Sequence, residues 1–474
     1  MTATKPAPGH RPAPQPPATA PPVVTGIGVA APNGFGREEW WRATMRGESG
    51  IRPISRFDAA QYPARLAGEV QDFDPADHIP GRLMPQTDHV TRLALAVADE
   101  ALADARVDPA ALPDYAAGVV TASSAGGFEF GQRELQALWS QGRQYVSAYQ
   151  SFAWFYAVNT GQISIRHGLR GPSGVLVTEQ AGGLDAVAQA RRQLRKGIRL
   201  VVTGGVESAL CPWGWAAQLA DGRLSTVDDP DRAYLPFTAD ARGHVAGEGG
   251  ALLIVEDAAA ARERGAETYG TIAGYAATFD PAPGGAVRGG GEPAPGGMVR
   301  GAGDLASGGM VRGAGDLASG GMAQSAGDPA SGPAAQSAGD RSRLRNAAEL
   351  ALRDAGLAPA DVDVVFADAA GDIAADLAEA RAIATLFGPN AVPVTAPKTM
   401  TGRLSAGAAS LDLAAALLAL RDQVIPPTVN VDGPAPGLPI DLVTEQRPAA
   451  LRTALVLARG RGGFNAAMVV RVPG

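Results

Sequence analysis

The sequence predicts an α/β fold in which one arrangement of strands and helices occurs twice. Three observations point there. Short, continuously apolar runs of strand length alternate with stretches of helical periodicity, as in layered structures with a largely buried sheet. The same rhythm restarts in the second half of the chain. With 474 residues, 46% of them hydrophobic and 19% charged, the chain is long and apolar enough to bury a large core.

In the first half the expected strands cover 23–29, 117–122, 175–178 and 200–203, and helices cover 92–105 and 182–195. In the second half a strand at 271–276 is followed by a helix at 343–355, a strand at 362–367, helices at 373–386 and 406–421, and two closing strands around Leu455 and Val469. The domain division that follows is a Pro/Ala-rich arm at 1–22, a first half at 23–260 and a second half at 261–474. Eight prolines in the arm disfavour helix and sheet alike and leave little to bury, so disorder is expected. Between the halves, 284–340 is built on a 12-residue unit, GGMVRGAGDLAS, starting at Gly296 and again at Gly308. A calcium-binding roll would need a nonapeptide period and more acidic ligands, so a flexible insertion is expected.

Net charge is −7 with no dense Lys/Arg block, which argues against a nucleic-acid partner. The N-terminus lacks the apolar core of a signal peptide, and no stretch approaches the roughly 18 apolar residues of a membrane span. One cysteine, Cys211, excludes an internal disulfide and a Cys-based metal cluster. A soluble protein of the reducing cytoplasm, without metal or cofactor, is the expectation. VTGIG at Val24 and GEGG at Gly247 lack the spacing and acidic partner of a dinucleotide fingerprint, and tight turns explain them better.

The most informative segment is VLVTEQAGGLDAVAQARRQLRKG, from Val175 to Gly197. A buried strand passes through small residues straight into a helix. That is the geometry of a nucleophile elbow, which lifts one side chain to a helix N-terminus beside backbone N–H groups that can hold an oxyanion. The tip is Gln180, and an amide is no nucleophile. Read alone, the segment fits an ordinary helix start equally well.

Longer motifs decide between these readings. VVTGIGVAAPNG (from Val23), ASSAGGFEFGQRELQALW (from Ala122), the stretch from Tyr145 to Ala186, LPFTADARGHVAGEGGALLIVE (from Leu235) and GRGGFNAAMV (from Gly460) together resemble the β-ketoacyl synthase family. Within it the chain resembles the chain-length-factor branch, the ketosynthase beta subunits of aromatic type II polyketide synthases. The resemblance implies a thiolase-like fold of five layers, α-β-α-β-α. It also implies that active members carry Cys at the elbow and two His, in an HGTGT-like turn and a K-S-x-x-G-H turn. Here those positions hold Gln180, Asp368 (in ADAAGD) and Arg403 (in KTMTGR), while Lys398 is retained. No histidine stands in by sequence position, and Cys211 reads as a packed thiol. Asp368 and Arg403 are expected to pair in the old pocket, with Gln180 and Lys398 adding hydrogen bonds to a closed polar plug.

The branch resemblance further implies a noncatalytic subunit that pairs with a Cys-bearing ketosynthase, works on chains carried by an acyl carrier protein, and sets their length. Phe128, Gly131 and Leu135 share one helical face and would wall the acyl tunnel; the same stripe also fits plain core. The small Gly131 and modest Leu135 imply a long chain, of decaketide class or beyond. Tyr145, Tyr149, Phe152, Trp154, Phe155 and Tyr156 form the densest aromatic patch and are assigned to the heterodimer contact, a core role being the alternative. The rival functions are a malonyl-carrier-protein decarboxylase that initiates the pathway and a self-sufficient condensing enzyme. Decarboxylation is disfavoured because losing even one oxyanion donor lowers rate by about 10² to 10³.

Overall fold

A mixed 12-stranded sheet runs through the computed structural model, which describes residues 20–280 and 343–473, with two small sheets beside it. The expected arm lies outside the described residues except at 20–22, and the expected insertion at 284–340 lies wholly outside them. The first half contributes β1 (Val23–Ala31), β2 (Ala117–Ala122), β3 (Ser173–Leu176), β4 (Leu200–Glu207) and β5 (Gly249–Glu256). The second contributes β6 (Gly270–Phe279), β7 (Val364–Phe366), β8 (Pro393–Thr395), β9 (Asp441–Leu442), β10 (Thr453–Gly460) and β11 (Phe464–Arg471). Their order is β9-β8-β7-β10-β11-β6-β1-β5-β4-β2-β3, with Gly34–Phe35 pairing on β1 off this path.

The duplication is visible in the pairing. Parallel β3-β2-β4 are followed by antiparallel β5 and β1. Parallel β8-β7-β10 are followed by antiparallel β11 and β6. The half-sheets join where β1 meets β6, at Val23↔Thr271 and Val24↔Gly270.

Helices α1 (His89–Asp104), α2 (Phe128–Ser140), α3 (Gly182–Leu194), α4 (Pro212–Leu219), α5 (Leu344–Ala355), α6 (Ile373–Phe387) and α7 (Ala408–Asp422) complete the site-bearing framework. In α7 every residue from Ala408 to Leu420 is buried; a helix without a polar face belongs inside. It shares the central core with α3 and the facing strands. Small residues permit the contact: a Cβ on Gly183 of α3 would come within 2.5 Å of the Ser410 amide nitrogen on α7. Outside the half-sheets lie α1 on one and α5 and α6 on the other, giving five α-β-α-β-α layers.

Two expectations change. The VTGIG glycines form no turn but lie inside β1 beneath α1, where a Cβ on Gly28 would stand 2.0 Å from the Val97 carbonyl oxygen. In GEGG, Gly249 holds φ +113° with a virtual Cβ 2.1 Å from the Ala30 carbonyl oxygen, again a close backbone approach between strands. Among the described residues no helix is long and apolar enough to cross a membrane.

Candidate functional site

The equivalent strands β3 and β8 feed the two central helices, so the turns after them face each other. After β3 the chain reverses through Thr178 and Glu179, the latter at φ +52°, and a 3₁₀ turn over Glu179–Ala181 leads into α3. A left-handed non-glycine residue persists only where its surroundings hold it. Thr178 Oγ1 donates to Asp185 Oδ2 at 2.5 Å, and the Arg461 amide donates to Glu179 Oε2 at 2.9 Å. This elbow buries Gln180 to 4% exposure in the wall of a cavity of about 240 Å³ that also includes Ser124, Phe128, Glu207, His244 and Arg403.

Opposite the elbow, Asp368 follows β7 and Arg403 follows the turn after β8. Arg403 Nη2 donates to Asp368 Oδ1 at 3.0 Å and Nη1 to Oδ2 at 3.2 Å, and Nη1 also reaches the Asp368 carbonyl oxygen at 2.7 Å. Arg459 of β10, a residue that sequence reasoning missed, completes the cage: its amide donates to Asp368 Oδ1 at 2.8 Å and its Nε to Oδ2 at 3.1 Å. Arg459 is itself held by Glu379 of α6 at 2.9 Å. Burial opposes ionisation of Asp368, but Arg403, Arg459 and Lys398 more than offset it and hold the carboxyl well below the usual carboxylate range. Burial likewise opposes the Arg403 charge, and Asp368 outweighs it.

Lys398 bonds locally, as expected, donating to the carbonyl oxygens of Ala367 at 2.8 Å and Asp368 at 3.2 Å; its Nζ also lies 2.6 Å from Asp412. Gln180 departs from expectation. Its side chain makes no hydrogen bond to Asp368, Arg403 or Lys398, although it shares the cavity wall with Arg403 and Arg459. The ion-pair cluster forms without it.

A second correction concerns His244. It matches neither histidine motif, yet it lines the same cavity as Gln180, brought there by a bridge to Leu224. Burial, helped by Arg403 and Arg223, lowers its pKa to about 3, so the imidazole is neutral. On the other wall, Glu207 at the end of β4 accepts from the amides of Ser124 and Ala125 and from Ser208. Burial raises its pKa from 4.5 to about 7 despite these donors.

That shift has a measurable consequence. A carboxyl whose folded pKa is raised stabilises the fold fully below its unfolded value, and the contribution disappears as pH rises through the folded one. Glu207→Gln should therefore gain stability relative to wild type between pH 5 and pH 8, by on the order of 3 kcal/mol at most. Urea midpoints of both proteins at the two pH values check this; a gap that does not change with pH would contradict it.

Phe128 opens α2 and stacks on Trp213 of α4, with ring centroids 4.6 Å apart and planes at 8°. Gly131, one turn on, is buried, and a Cβ there would lie 3.1 Å from Trp213 Cζ3 and 3.5 Å from Trp154 Cβ. Leu135 continues the face and is 39% exposed; of the three, only Phe128 lines the cavity. Trp213, two residues after Cys211, carries no local signal in the sequence that places it against α2. Cys211 is buried, its Sγ accepts from the Gly214 amide at 3.5 Å, and burial raises its pKa, as for a packed thiol. Of the six aromatic residues assigned to a contact, Tyr145, Tyr149, Trp154, Phe155 and Tyr156 are exposed and Phe152 is half-buried.

Comparison with known proteins gives consistent matches. The pattern described as Beta-ketoacyl synthase, N-terminal domain, matches residues 20–261, and Beta-ketoacyl synthase, C-terminal domain, matches 320–432. The chain is 56% identical to the tetracenomycin polyketide synthase ketoacyl synthase beta subunit of Streptomyces glaucescens, covering 96% of this chain and 99% of that one. It is 53% identical to the actinorhodin polyketide putative beta-ketoacyl synthase 2 of Streptomyces coelicolor, covering 95% and 98%. Among solved structures, the ishigamide ketosynthase/chain length factor is similar at 25% identity, with a TM-score of 0.77 over 96% of this chain and 100% of that one. A type II PKS acyl-carrier protein in complex with its ketosynthase shares the fold, at 22% identity and TM-score 0.76 over 96% of this chain and 100% of that one.

Proposed function

The chain belongs to the beta-ketoacyl synthase family, and from that membership we propose that it is the noncatalytic, chain-length-determining subunit of a type II polyketide synthase, paired with a Cys-bearing ketosynthase. One observation carries the reading: the elbow is built and its tip is an amide, while Asp368 and Arg403, at the positions where the family resemblance puts histidines, bind each other. Attack on a thioester needs a thiolate or an activated hydroxyl; no thiol lines the cavity, and the Ser124 hydroxyl in its wall is hydrogen-bonded to no base.

The exposed aromatic patch after α2 supports a partner, since aromatic side chains are enriched in interface cores. The acyl carrier protein presents the chain, Phe128, Gly131 and Leu135 contribute the tunnel wall, and the small residue at 131 fits a long product, decaketide or beyond. The halves 23–260 and 261–474, and a cytoplasmic location, belong to the same proposal.

His244 favours one second reading, decarboxylation of a malonyl thioester by this subunit alone, because a neutral imidazole can donate a hydrogen bond to developing charge. Reconstitution separates the two. With malonyl-loaded carrier protein, the isolated chain should release no carbon dioxide above background and form no polyketide, and product should appear when the ketosynthase is added. Gln180→Cys should leave the isolated chain unable to condense, because a thiol alone does not replace the two histidines. Condensation by either isolated protein would overturn the assignment.

A further inference from the structure

The wall at Phe128 and Gly131 is made by two elements from different parts of the chain, α2 and the first turn of α4, which carries Trp213, and a polar network behind it reaches both. Glu248 is fully buried. Its Oε2 accepts from Ser208 Oγ at 2.6 Å and from Arg56 Nη1 at 2.8 Å, its Oε1 accepts from the Val70 amide at 3.1 Å, and His89 Nε2 lies 3.3 Å away. Ser208 follows β4 directly and starts the segment that carries Cys211, Pro212 and Trp213 into α4. Arg56 turns the other way: its Nη2 donates to Glu129, in the first turn of α2 beside Phe128. One carboxylate thus reaches the Trp213 side through Ser208 and the Phe128 side through Arg56. Asp88 adds a second tie to α2, accepting from the Phe130 amide at 2.6 Å while capping α1 through the Val90 amide at 2.9 Å.

We infer that Arg56, backed by Glu248, is a positioning residue for the tunnel wall, setting the spacing between Phe128 on α2 and Trp213 on α4 and with it the sharpness of length selection. The inference rests on the wall reading proposed above. A steric ruler discriminates only while its faces stay within a fraction of an ångström of their places. The fork of a guanidinium suits that task, since it can bind two carboxylates at fixed angles, whereas an ammonium is a single point of charge. Burial of Glu248 strengthens the contact: despite burial, which opposes its charge, His89 and Arg56 lower its pKa to about 2.

The test compares Arg56→Met, Arg56→Lys and Glu129→Ala with wild type and Gly131→Phe, each assembled with the ketosynthase and carrier protein, with chain lengths read by mass spectrometry. Glu129 is exposed and alanine favours helix, so Glu129→Ala keeps the fold even if Arg56→Met does not. Glu129→Ala and Arg56→Met should broaden the distribution, lowering the ratio of the main product to its neighbours several-fold, with heterodimer formation intact. Arg56→Lys should recover stability but not the ratio. A purely structural role would lower total yield and leave the ratio unchanged. If both tether variants keep the wild-type distribution while Gly131→Phe shortens the product, the inference is overturned and the wall stands. If Gly131→Phe also changes nothing, the wall is misassigned and the positioning role falls with it.

Discussion

Asp368→Ala should destabilise the fold by about 3–5 kcal/mol, the range for removing one partner of a buried ion pair. Native domains have only about 5–15 kcal/mol in all, so poor solubility or a much lower urea midpoint is expected. The reason lies in what remains. Arg403 and Arg459 converge on Asp368 with four side-chain and backbone donors to its two oxygens, and without the carboxylate Arg403 loses its one directly bonded anion and keeps mainly carbonyl oxygens as partners. Asp368→Ala combined with Arg403→Met should recover part of the loss, because a buried pair replaced whole by apolar groups is often near neutral. An unchanged midpoint in the single variant would show that the cluster does not organise this part of the core. Because the Asp368 pKa is depressed, its contribution is fully present above the unfolded value of 3.8 and is lost as pH falls below it. The destabilisation should therefore shrink in acid.

The second large effect is on product rather than stability. Gly131→Phe places a ring where a bare Cβ already stands 3.1 Å from Trp213. The new ring must displace the indole, which is stacked on Phe128, because Trp154 Cβ closes the other side at 3.5 Å. On the wall reading proposed above, that displacement narrows the passage. One methylene forced against a filled wall yields about 10- to 200-fold discrimination, and each ketide adds two carbons, so the dominant product should shorten by at least one ketide unit. Phenylalanine is a better helix residue than glycine, so α2 itself is not weakened. Chain lengths identical to wild type, from a folded heterodimer, would remove Gly131 from the wall.

Much of this framework was legible in the sequence because it depends on local pattern. The expected strand at 117–122 and the starts of the helices at 182 and 373 coincide with β2, α3 and α6. β3 ends two residues before the expected 178 because the elbow already needs Val177 and Thr178 for the reversal. β4 runs four residues beyond the expected 203, since Gly204 and Gly205 let it continue under neighbouring backbone. The Asp368–Arg403 pair followed from two motif positions changing together. Arg459, Glu379, His244 and Trp213 did not, because nothing local marks them. Arg459 enters the site through sheet order, His244 through a bridge between distant segments, and Glu379 and Trp213 on helices packed from elsewhere in the chain; an arginine in a strand ending ARG, or a tryptophan beside a lone cysteine, carries no periodic signal of where it will point. Gln180 shows the converse: local pattern places it at the strand-to-helix turn, whereas the company its side chain keeps is set by segments far along the chain.

The aromatic surface around Tyr145 to Tyr156 bears on the protein before any chemistry begins. Apolar patches of this kind facing water favour self-association, so on the contact proposed above a copy without its partner should clump at concentrations at which the assembled pair stays dispersed.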